Sequence, residues 1–208
     1  MKPLLIYGAA GHAKTVIDAA ECAGREVAEV VCDNPYVTTL YGIPVRSPDA
    51  SLYLGRDYQF IVAIGSNADR QRVFEWLLKN GGEPATIIHP AADASRFSTV
   101  GAGSVVLAQA HVDPSVEIGC NCIINAGALV GHDSVVGDHT HVSGLAIVGA
   151  KCRVGQRVFV GLHATINGGV TVGDDATVAM GALVNRDVPS GFKALTAEAA
   201  RVMRLVAA

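Results

Sequence analysis

The 208-residue sequence lacks three features that would each assign it to a class of protein. It has no excess of basic residues: 16 Lys and Arg against 19 Asp and Glu give a net charge of −3, which argues against a nucleic acid partner. No apolar run reaches the roughly 18 residues that a membrane-spanning helix needs. The N-terminal stretch MKPLLIYG reads as a first strand and not as a signal peptide. The five cysteines include no CxxC pair, so we expect reduced thiols in a cytoplasmic protein.

What the sequence does have is a strict period of six in its second half. Every sixth residue between residues 100 and 184 is Val or Ile, without exception. These fifteen repeat positions are Val100, Val106, Val112, Ile118, Ile124, Val130, Val136, Val142, Val148, Val154, Val160, Ile166, Val172, Val178 and Val184. A period of six fits neither an α-helix nor a simple strand. It is typical of a parallel β-helix, whose triangular coils of about eighteen residues stack and bury one apolar column.

The residues between the repeat positions predict how each coil is built. The residue four places later is small or a valine, such as Ala110 or Cys122, and we expect it to face inward too. The residue directly after a repeat position is often Gly or Asn, for which we expect left-handed backbone at the corners. The register extends back to Ile88. We therefore assign residues 88–187 to the β-helix and residues 188–208 to a tail with a short helix.

Residues 1–87 alternate strand and helix patterns, which predicts a small α/β domain with a parallel sheet. Ligands of such sheets bind at the carboxyl ends of the strands, where this sequence has Gly8 to His12, Asp33 with Asn34, and Gly65 to Asn67. The first turn, GAAGHA, carries only part of the Gly-x-Gly-x-x-Gly dinucleotide fingerprint. Nucleotide binding and a purely structural turn both remain open on this spacing.

Three histidines and two aspartates lie close together in the stretch LVGHDSVVGDHTHVSG, residues 129–144. The repeat register places His132, His139 and His141 outside the inward positions, so none is expected in the core. A zinc site like that of the γ-class carbonic anhydrases, a general base with its helpers, and a solvated edge are the alternatives. The histidine spacing differs from the carbonic anhydrase pattern, and we interpret His139 as a solvated surface residue.

The motifs YGAAGHAK, CDNP, YGIPV and IVAIGSNADR, followed by repeats containing GHDSVVGDHTHVS, resemble the bacterial nucleotide-sugar acetyltransferases. That family includes perosamine and bacillosamine N-acetyltransferases and sialic acid O-acetyltransferase-like proteins. The resemblance covers nearly the whole chain. It implies a Rossmann-like α/β domain that binds a nucleotide sugar, a left-handed β-helix that binds acetyl-CoA as co-substrate, and a homotrimer.

The resemblance also implies roles for individual residues. The catalytic base falls on His132 and the carboxylate beside it on Asp133. Substrate contacts fall on Ala10, Gly11, His12, Asp33, Asn34 and Gly65, and coenzyme contacts on His141, Leu162 and Met180. Asn34 stands where some relatives have a second acid, and the family's closing Gly-x-Pro-Ala turn is absent from the end of this chain.

These assignments predict an acetyl-CoA-dependent N-acetyltransferase acting on the 4-amino group of a nucleotide-linked amino sugar. An ordinary histidine titrates near neutral pH and suits the removal of a proton from the attacking amine. The oxyanion needs a donor, for which the backbone N–H of Gly149 or Ala150 is the candidate, and Ala150 is also counted with the coenzyme contacts. No metal is required and no acyl-enzyme is expected. O-acetylation of a sialic acid-type sugar and a carbonic anhydrase-like zinc enzyme are the alternatives.

Overall fold

The computed structural model describes residues 1–48 and 57–196, and it folds them into an α/β unit and a β-helix. The elements of the first unit are β1 (Leu4–Tyr7), α1 (Gly11–Cys22), β2 (Val27–Val31), β3 (Thr39–Leu40), β4 (Ile43–Arg46), β5 (Gln59–Val62), α2 (Asn67–Lys79) and β6 (Glu83–Pro84). The six strands form one sheet in the order β3-β4-β2-β1-β5-β6, and only β3 and β4 pair antiparallel.

The central strand β1 shows why this unit folds as a layered sheet. Its side chains alternate between the two faces, so that Leu4 and Ile6 pack with α1 while Leu5 and Tyr7 pack with α2. All four residues are buried, as expected for a parallel strand covered on both faces. Strands β3 and β4, which the sequence pattern does not predict, form a hairpin. Its turn is at Tyr41-Gly42, with φ 52° and 81°.

The β-helix is a three-sided prism whose short parallel strands stack into three faces. Face 1 contains β7 (Ile87–Ile88), β10 (Val105–Val106), β13 (Ile123–Ile124), β16 (His141–Val142), β19 (Phe159–Val160), β22 (Thr177–Val178) and β24 (Lys193–Ala194). Face 2 contains β8 (Asp93–Ala94), β11 (His111–Val112), β14 (Leu129–Val130), β17 (Ile147–Val148), β20 (Thr165–Ile166) and β23 (Leu183–Val184). Face 3 contains β9 (Thr99–Val100), β12 (Glu117–Ile118), β15 (Val135–Val136), β18 (Arg153–Val154) and β21 (Thr171–Val172).

The repeat positions form the core of this prism. From Val106 to Val184 each is between 0% and 7% exposed, and all belong to one apolar cluster with the inward small residues. Polar inward residues are satisfied within the coils: Ser134 Oγ donates to Gly149 O at 2.9 Å and accepts the N–H of Cys152 at 3.0 Å. The six-residue period therefore sets which side chains face the core.

Left-handed residues stack in a column along each edge of the prism, eighteen residues apart. The first edge, between faces 1 and 2, has Gln109, Gly127, Leu145, His163 and Gly181. The second edge, between faces 2 and 3, has Ser115, Asp133, Lys151 and Gly169. The third edge, between faces 3 and 1, has Gly103, Asn121, His139, Arg157 and Asp175.

The expectation that glycines directly after the repeat positions adopt left-handed backbone is wrong. Neither Gly131 nor Gly149 has a positive φ, and the left-handed residues come two places later. A Cβ on Gly131 would lie 2.6 Å from Ala150 N, and one on Gly149 would lie 2.6 Å from Gly168 N. Glycine is needed at these positions because successive coils approach too closely for a side chain.

The α/β unit packs on face 1 and on the third edge. Ile87, Val105 and Ile123 of face 1 share an apolar cluster with residues of α1. Phe74 of α2 covers Gly103, where a Cβ would lie 2.3 Å from the ring. This docking brings the carboxyl edge of the sheet next to the strand that begins with His141.

At the other end, the β-helix pairing continues into the segment predicted as a tail. Strand β24 pairs with β22, and Val188 pairs with Val172. Residues 188–196 contain no helix, and the rest of the segment in which a short helix is predicted lies outside the described residues. In residues 1–48 and 57–196, neither helix has the length and apolar character to cross a bilayer.

The core column predicts the effect of a truncation. Replacing Ile124, which is 0% exposed, with Ala should lower the free energy of unfolding by about 2–5 kcal/mol, because a cavity forms in a stack that cannot collapse. Thr171→Ala, at an exposed position of face 3, is the matched control and should change it by at most about 0.5 kcal/mol. Urea unfolding followed by circular dichroism measures both. Equal effects of the two changes would contradict the assignment of the core.

Candidate active site

Two histidines meet where the α/β unit contacts face 1. His12 lies in the first turn of α1, and His141 begins β16. Their ring centroids are 6.3 Å apart. His141 also packs edge-on against Phe159, one coil further along face 1, and its Nε2 lies 3.2 Å from Asn125 Nδ2.

Both imidazoles are held in the neutral form by their surroundings. Burial, and then the positive charge of Arg70, lower the pKa of His12 to about 4. Burial, followed by Arg70 and His12, lowers the pKa of His141 to about 3, against a smaller raising effect of the Gly65 backbone. His12 Nε2 is buried and has no hydrogen-bond partner within the described part of the chain. A ligand that enters this junction would therefore find a neutral ring nitrogen free to bond.

The predicted substrate contacts gather around this pair. They follow the carboxyl ends of β1, β2 and β5, which are adjacent in the sheet. The residues concerned are Ala10, Gly11, His12, Asp33, Asn34 and Gly65. Tyr7 OH donates a hydrogen bond to Asp33 Oδ1, so one carboxylate oxygen is oriented from within the sheet. Ala10 is the N-cap residue of α1 and offers no side-chain cap, so the first N–H groups of the helix point into the same space.

The predicted base and acid form a pair on the second edge of the β-helix. His132 Nδ1 lies 2.8 Å from Asp133 Oδ2, and about half of each side chain is exposed. The backbone N–H of His132 donates to Asp113 Oδ2 at 3.1 Å, which fixes the turn that carries the ring. With its Nδ1 proton held by the carboxylate, the neutral ring presents Nε2 as a proton acceptor.

The residue one coil above His132 is Ala150. Of the two candidate oxyanion donors, Gly149 is already committed, because its N–H donates to Ile166 O at 2.9 Å. The Ala150 carbonyl accepts the N–H of Gly169 at 2.9 Å, and a Cβ added to Gly131 of the neighbouring coil would lie 2.6 Å from Ala150 N. Ala150 is therefore the better candidate of the two.

The remaining predicted coenzyme contacts lie elsewhere on the prism. Leu162 and Met180 are next to the first edge, one coil apart, and are 48% and 71% exposed. His141 is 9% exposed and contacts the α/β unit. A single chain thus separates three groups: His132 with Ala150 on the second edge, Leu162 with Met180 by the first edge, and His141 on face 1.

The interpretation of His139 as a solvated surface residue is wrong. It is 7% exposed, because α2 covers the third edge, and its ring lies 5.8 Å from that of Phe74. Asn121 Nδ2 lies 2.8 Å from His139 Nδ1, so the ring is held within the junction. Only the docking of the α/β unit buries this residue, and the β-helix register carries no signal of it.

Metal-ligand candidates in the described residues are found away from these histidines. Asp18, Cys22 and His89 bring ligand atoms within 4.8 Å of one another, where α1 meets the start of the β-helix after β7. His89 Nδ1 already accepts the N–H of Ala91 at 2.9 Å, which leaves the ring proton on Nε2. A metal that binds His89 would have to displace that proton or that hydrogen bond. Asp18, Cys22 and His89 do not contact the His132–Asp133 pair.

Comparisons with known proteins find relatives of both parts of the chain. The model of the PglD N-terminal domain matches residues 3–77, and that of the hexapeptide repeat of succinyl-transferase matches residues 147–186. A histidine-to-asparagine variant of perosamine N-acetyltransferase from Caulobacter crescentus, in complex with CoA and GDP-perosamine, is 33% identical with a TM-score of 0.90 over 94% of each chain. The acetyltransferase domain of PglB from Neisseria gonorrhoeae, in complex with acetyl coenzyme A, is 30% identical with a TM-score of 0.86 over 92% of this chain and 95% of that one.

A curated relative matches over a shorter stretch. UDP-N-acetylbacillosamine N-acetyltransferase of Bacillus subtilis is 29% identical over 113 residues, and the match spans 52% of this chain and 52% of the relative, about half the length of each. The fold and the site define a left-handed hexapeptide-repeat acyltransferase with an N-terminal α/β domain. The chain belongs to the family of CoA-dependent nucleotide-sugar N-acetyltransferases. The resemblance seen in the sequence and the predicted fold class are both confirmed.

The buried pair makes a prediction about pH. NMR titration of ¹³C-labelled histidines should show both His12 and His141 still neutral at about pH 5.5, since their pKa values are about 4 and about 3. In the unfolded chain the same rings titrate near pH 6.5. The unfolded state thus binds more protons below that pH, so the free energy of unfolding should fall as the pH drops from about 6.5 toward 4. His12→Gln should weaken this dependence, and titration of either ring near pH 6.5 would contradict the burial argument.

Proposed function

We propose that this chain transfers the acetyl group of acetyl-CoA to the 4-amino group of a nucleotide-linked amino sugar. In this proposal residues 1–87 bind the nucleotide sugar. The β-helix, residues 88–187, supplies the groups that catalyse acetyl transfer. The observation that carries the proposal is the His132–Asp133 pair, a base oriented by a carboxylate at 2.8 Å on an exposed edge of an acyltransferase fold. The five free thiols fit a reducing compartment, and we assign the protein to the cytoplasm.

The pocket formed by the carboxyl ends of β1, β2 and β5 would bind the nucleotide sugar. The uncapped start of α1 offers backbone N–H groups and the positive end of a helix dipole to a diphosphate. Asp33, oriented by Tyr7, would accept hydrogen bonds from the ribose or the base. The neutral ring of His12 can bond to the ligand without adding a charge to the junction.

The reaction we propose proceeds directly in a ternary complex. The amine nitrogen attacks the thioester carbon while His132 Nε2 takes up the amine proton, and Asp133 stabilises the resulting imidazolium. The N–H of Ala150 would stabilise the oxyanion of the tetrahedral intermediate. Its collapse breaks the carbon–sulfur bond, and His132 returns the proton to the departing thiolate, giving CoA and the N-acetylated sugar.

A shared site between subunits follows from where these groups lie. His132 is on the second edge, opposite face 1, so it cannot reach a sugar bound near His12 and His141 of its own chain. A homotrimer would bring the second edge of one chain to face 1 of the next. Exposed apolar residues support such packing, among them Ile147 and Leu183 on face 2, at 40% and 82% exposed.

The role of His132 can be tested by substitution. His132→Asn should lower kcat by roughly 100-fold or more at pH 7.5, because the amine loses its proton acceptor. Binding of the nucleotide sugar should be nearly unchanged, since the ring would meet only the reacting amino group, away from the nucleotide. Thiol release from acetyl-CoA measures kcat, and isothermal titration calorimetry measures binding of a GDP-linked and a UDP-linked 4-amino sugar.

Two further variants make this test specific. His89→Asn, a histidine outside the proposed machinery, should keep the wild-type kcat. Asp33→Ala should raise the KM for the nucleotide sugar with a smaller change in kcat. A His132→Asn enzyme with the kcat of the wild type would refute the assignment.

The shared site can be tested by mixing chains. Chains with His132→Ala and with His141→Ala, each nearly inactive, should regain activity when they are co-expressed equally. A site needs His132 from one chain and His141 from the next, so random assembly restores about a quarter of the sites. Light scattering should show trimers. A monomer at micromolar concentration, or mixed trimers without restored activity, would contradict the shared site.

A further inference from the structure

Arg70 is the most deeply buried charged residue in the described part of the chain, at 1% exposed. It lies in the first turn of α2, after the N-cap Ser66. Its guanidinium contacts no carboxylate of residues 1–48 and 57–196, and its pKa is lowered to about 10, chiefly by burial. Burying an unpaired charge is costly, so the contacts that retain it need an explanation.

All five N–H groups of this guanidinium donate to acceptors of the protein. Two acceptors belong to the loop after β5, one to the side chain of Asn67, and two to the third edge of the β-helix. The bonds are Nη1 to Ile64 O at 3.1 Å and to Gly65 O at 3.2 Å, Nη2 to Asn67 Oδ1 at 2.8 Å and to His139 O at 2.6 Å, and Nε to Asn121 O at 3.0 Å. The planar fork is satisfied completely, which three ammonium donors on a flexible stem could not reproduce.

The two ends of this network belong to the two halves of the candidate site. Gly65 is among the predicted substrate contacts, and His139 lies two residues before His141. Asn67 extends the link by donating to Arg157 O at 2.9 Å and Val158 O at 3.0 Å. The substrate loop is thus fastened to three successive coils of the third edge, at Asn121, His139 and Arg157.

We propose that Arg70 is a positioning residue, which holds the loop Ile64–Asn67 against the coils that carry His139 and His141 and so sets where the nucleotide sugar lies relative to the β-helix. The inference rests on the proposed function, because it takes Gly65 to belong to the sugar-nucleotide pocket. Arg70 touches no reacting group. It acts through the loop and through its charge on the nearby imidazoles.

The charge is the second part of its action. Among the described residues, the charged and titratable groups that shift the pKa values of His12 and His141 are Arg70 and, for His141, His12 itself, and no carboxylate of that part of the chain opposes them. A cation that is not neutralised by an acid disfavours the imidazolium form of both rings. Arg70 therefore contributes to the neutrality of the pocket as well as to its shape.

Arg70→Lys separates geometry from charge, because it keeps the cation and loses the fork. We expect kcat/KM for the nucleotide sugar to fall by about 10- to 100-fold, since a displacement near 1 Å of a bound substrate has effects of this size. The KM for acetyl-CoA should stay within about twofold of the wild type. Arg72→Lys is the matched control: Arg72 is exposed on the same helix, with Asp69 at 3.8 Å, and the change should leave both constants unaltered.

Arg70→Gln removes the charge as well, and NMR titration then reports on it. The pKa values of His12 and His141 should rise in Arg70→Gln and stay near their wild-type values in Arg70→Lys. A residue that only stabilises the fold would lower the melting temperature in both variants, while the folded fraction would keep its KM for each substrate. If either variant does not fold, Asn67→Ala weakens the same link and should show the same selective loss, by a few-fold.

The outcomes decide the proposal. Wild-type kinetics in folded Arg70→Lys, or an equal loss for the two substrates, would overturn it. Unaltered kinetics in Asn67→Ala would do the same if Arg70 variants are unfolded. Should the wild type bind a nucleotide-linked amino sugar in calorimetry but transfer no acetyl group, the proposed function fails. The affinity of Arg70→Lys for that sugar, expected to be weaker by about 10-fold, then still tests Arg70 separately.

Discussion

The six-residue spacing of inward Val and Ile side chains is the constraint on which the rest of the structure depends. Three hexads close one coil, so residues eighteen apart lie directly above one another. Equivalent positions on an edge therefore recur every eighteen residues along the axis of the prism. Ala150 is above His132 for this reason, and Met180 is above Leu162. The spacing therefore fixes the distance between groups on the same edge to a multiple of the height of one coil, and it sets on which side of the prism every other group lies.

The sequence alone predicts the features that recur in every coil. It does not predict features that depend on one long-range contact, such as the docking of the α/β unit. The core positions and the outward direction of His132 follow from the register, because each coil repeats the same pattern. The prediction of left-handed backbone at the glycines after the repeat positions is wrong, because close approach between coils favours glycine just as left-handed backbone does. The burial of His139 and two of the five contacts of Arg70 arise when α2 packs on the third edge, and His141 is covered where His12 of α1 meets face 1. No local pattern encodes this docking.

The site combines two electrostatic environments that one chain keeps apart. His12 and His141 lie in a buried junction beside the positive charge of Arg70, where the neutral form is favoured. His132 lies on a half-exposed edge with its Nδ1 2.8 Å from the Asp133 carboxylate, which orients the ring. The first environment suits the binding of a ligand and the second suits general base catalysis. Since the prism separates them, the proposed function relies on a symmetric ring of chains that would bring both to one substrate.

The choice of arginine at the junction follows from the acceptors that the two units offer each other. Edges of a β-helix and turns after parallel strands both present backbone carbonyls, which an apolar side chain would bury without a partner at about 1–3 kcal/mol each. Arg70 satisfies four such carbonyls and one amide oxygen with a single planar group. The buried charge is thus offset by the carbonyl groups that it satisfies. Because the five hydrogen bonds of Arg70 depend on direction, they fit only one placement of the loop Ile64–Asn67 relative to the third edge. Such a fixed placement is what the proposed role of this loop in binding the nucleotide sugar requires.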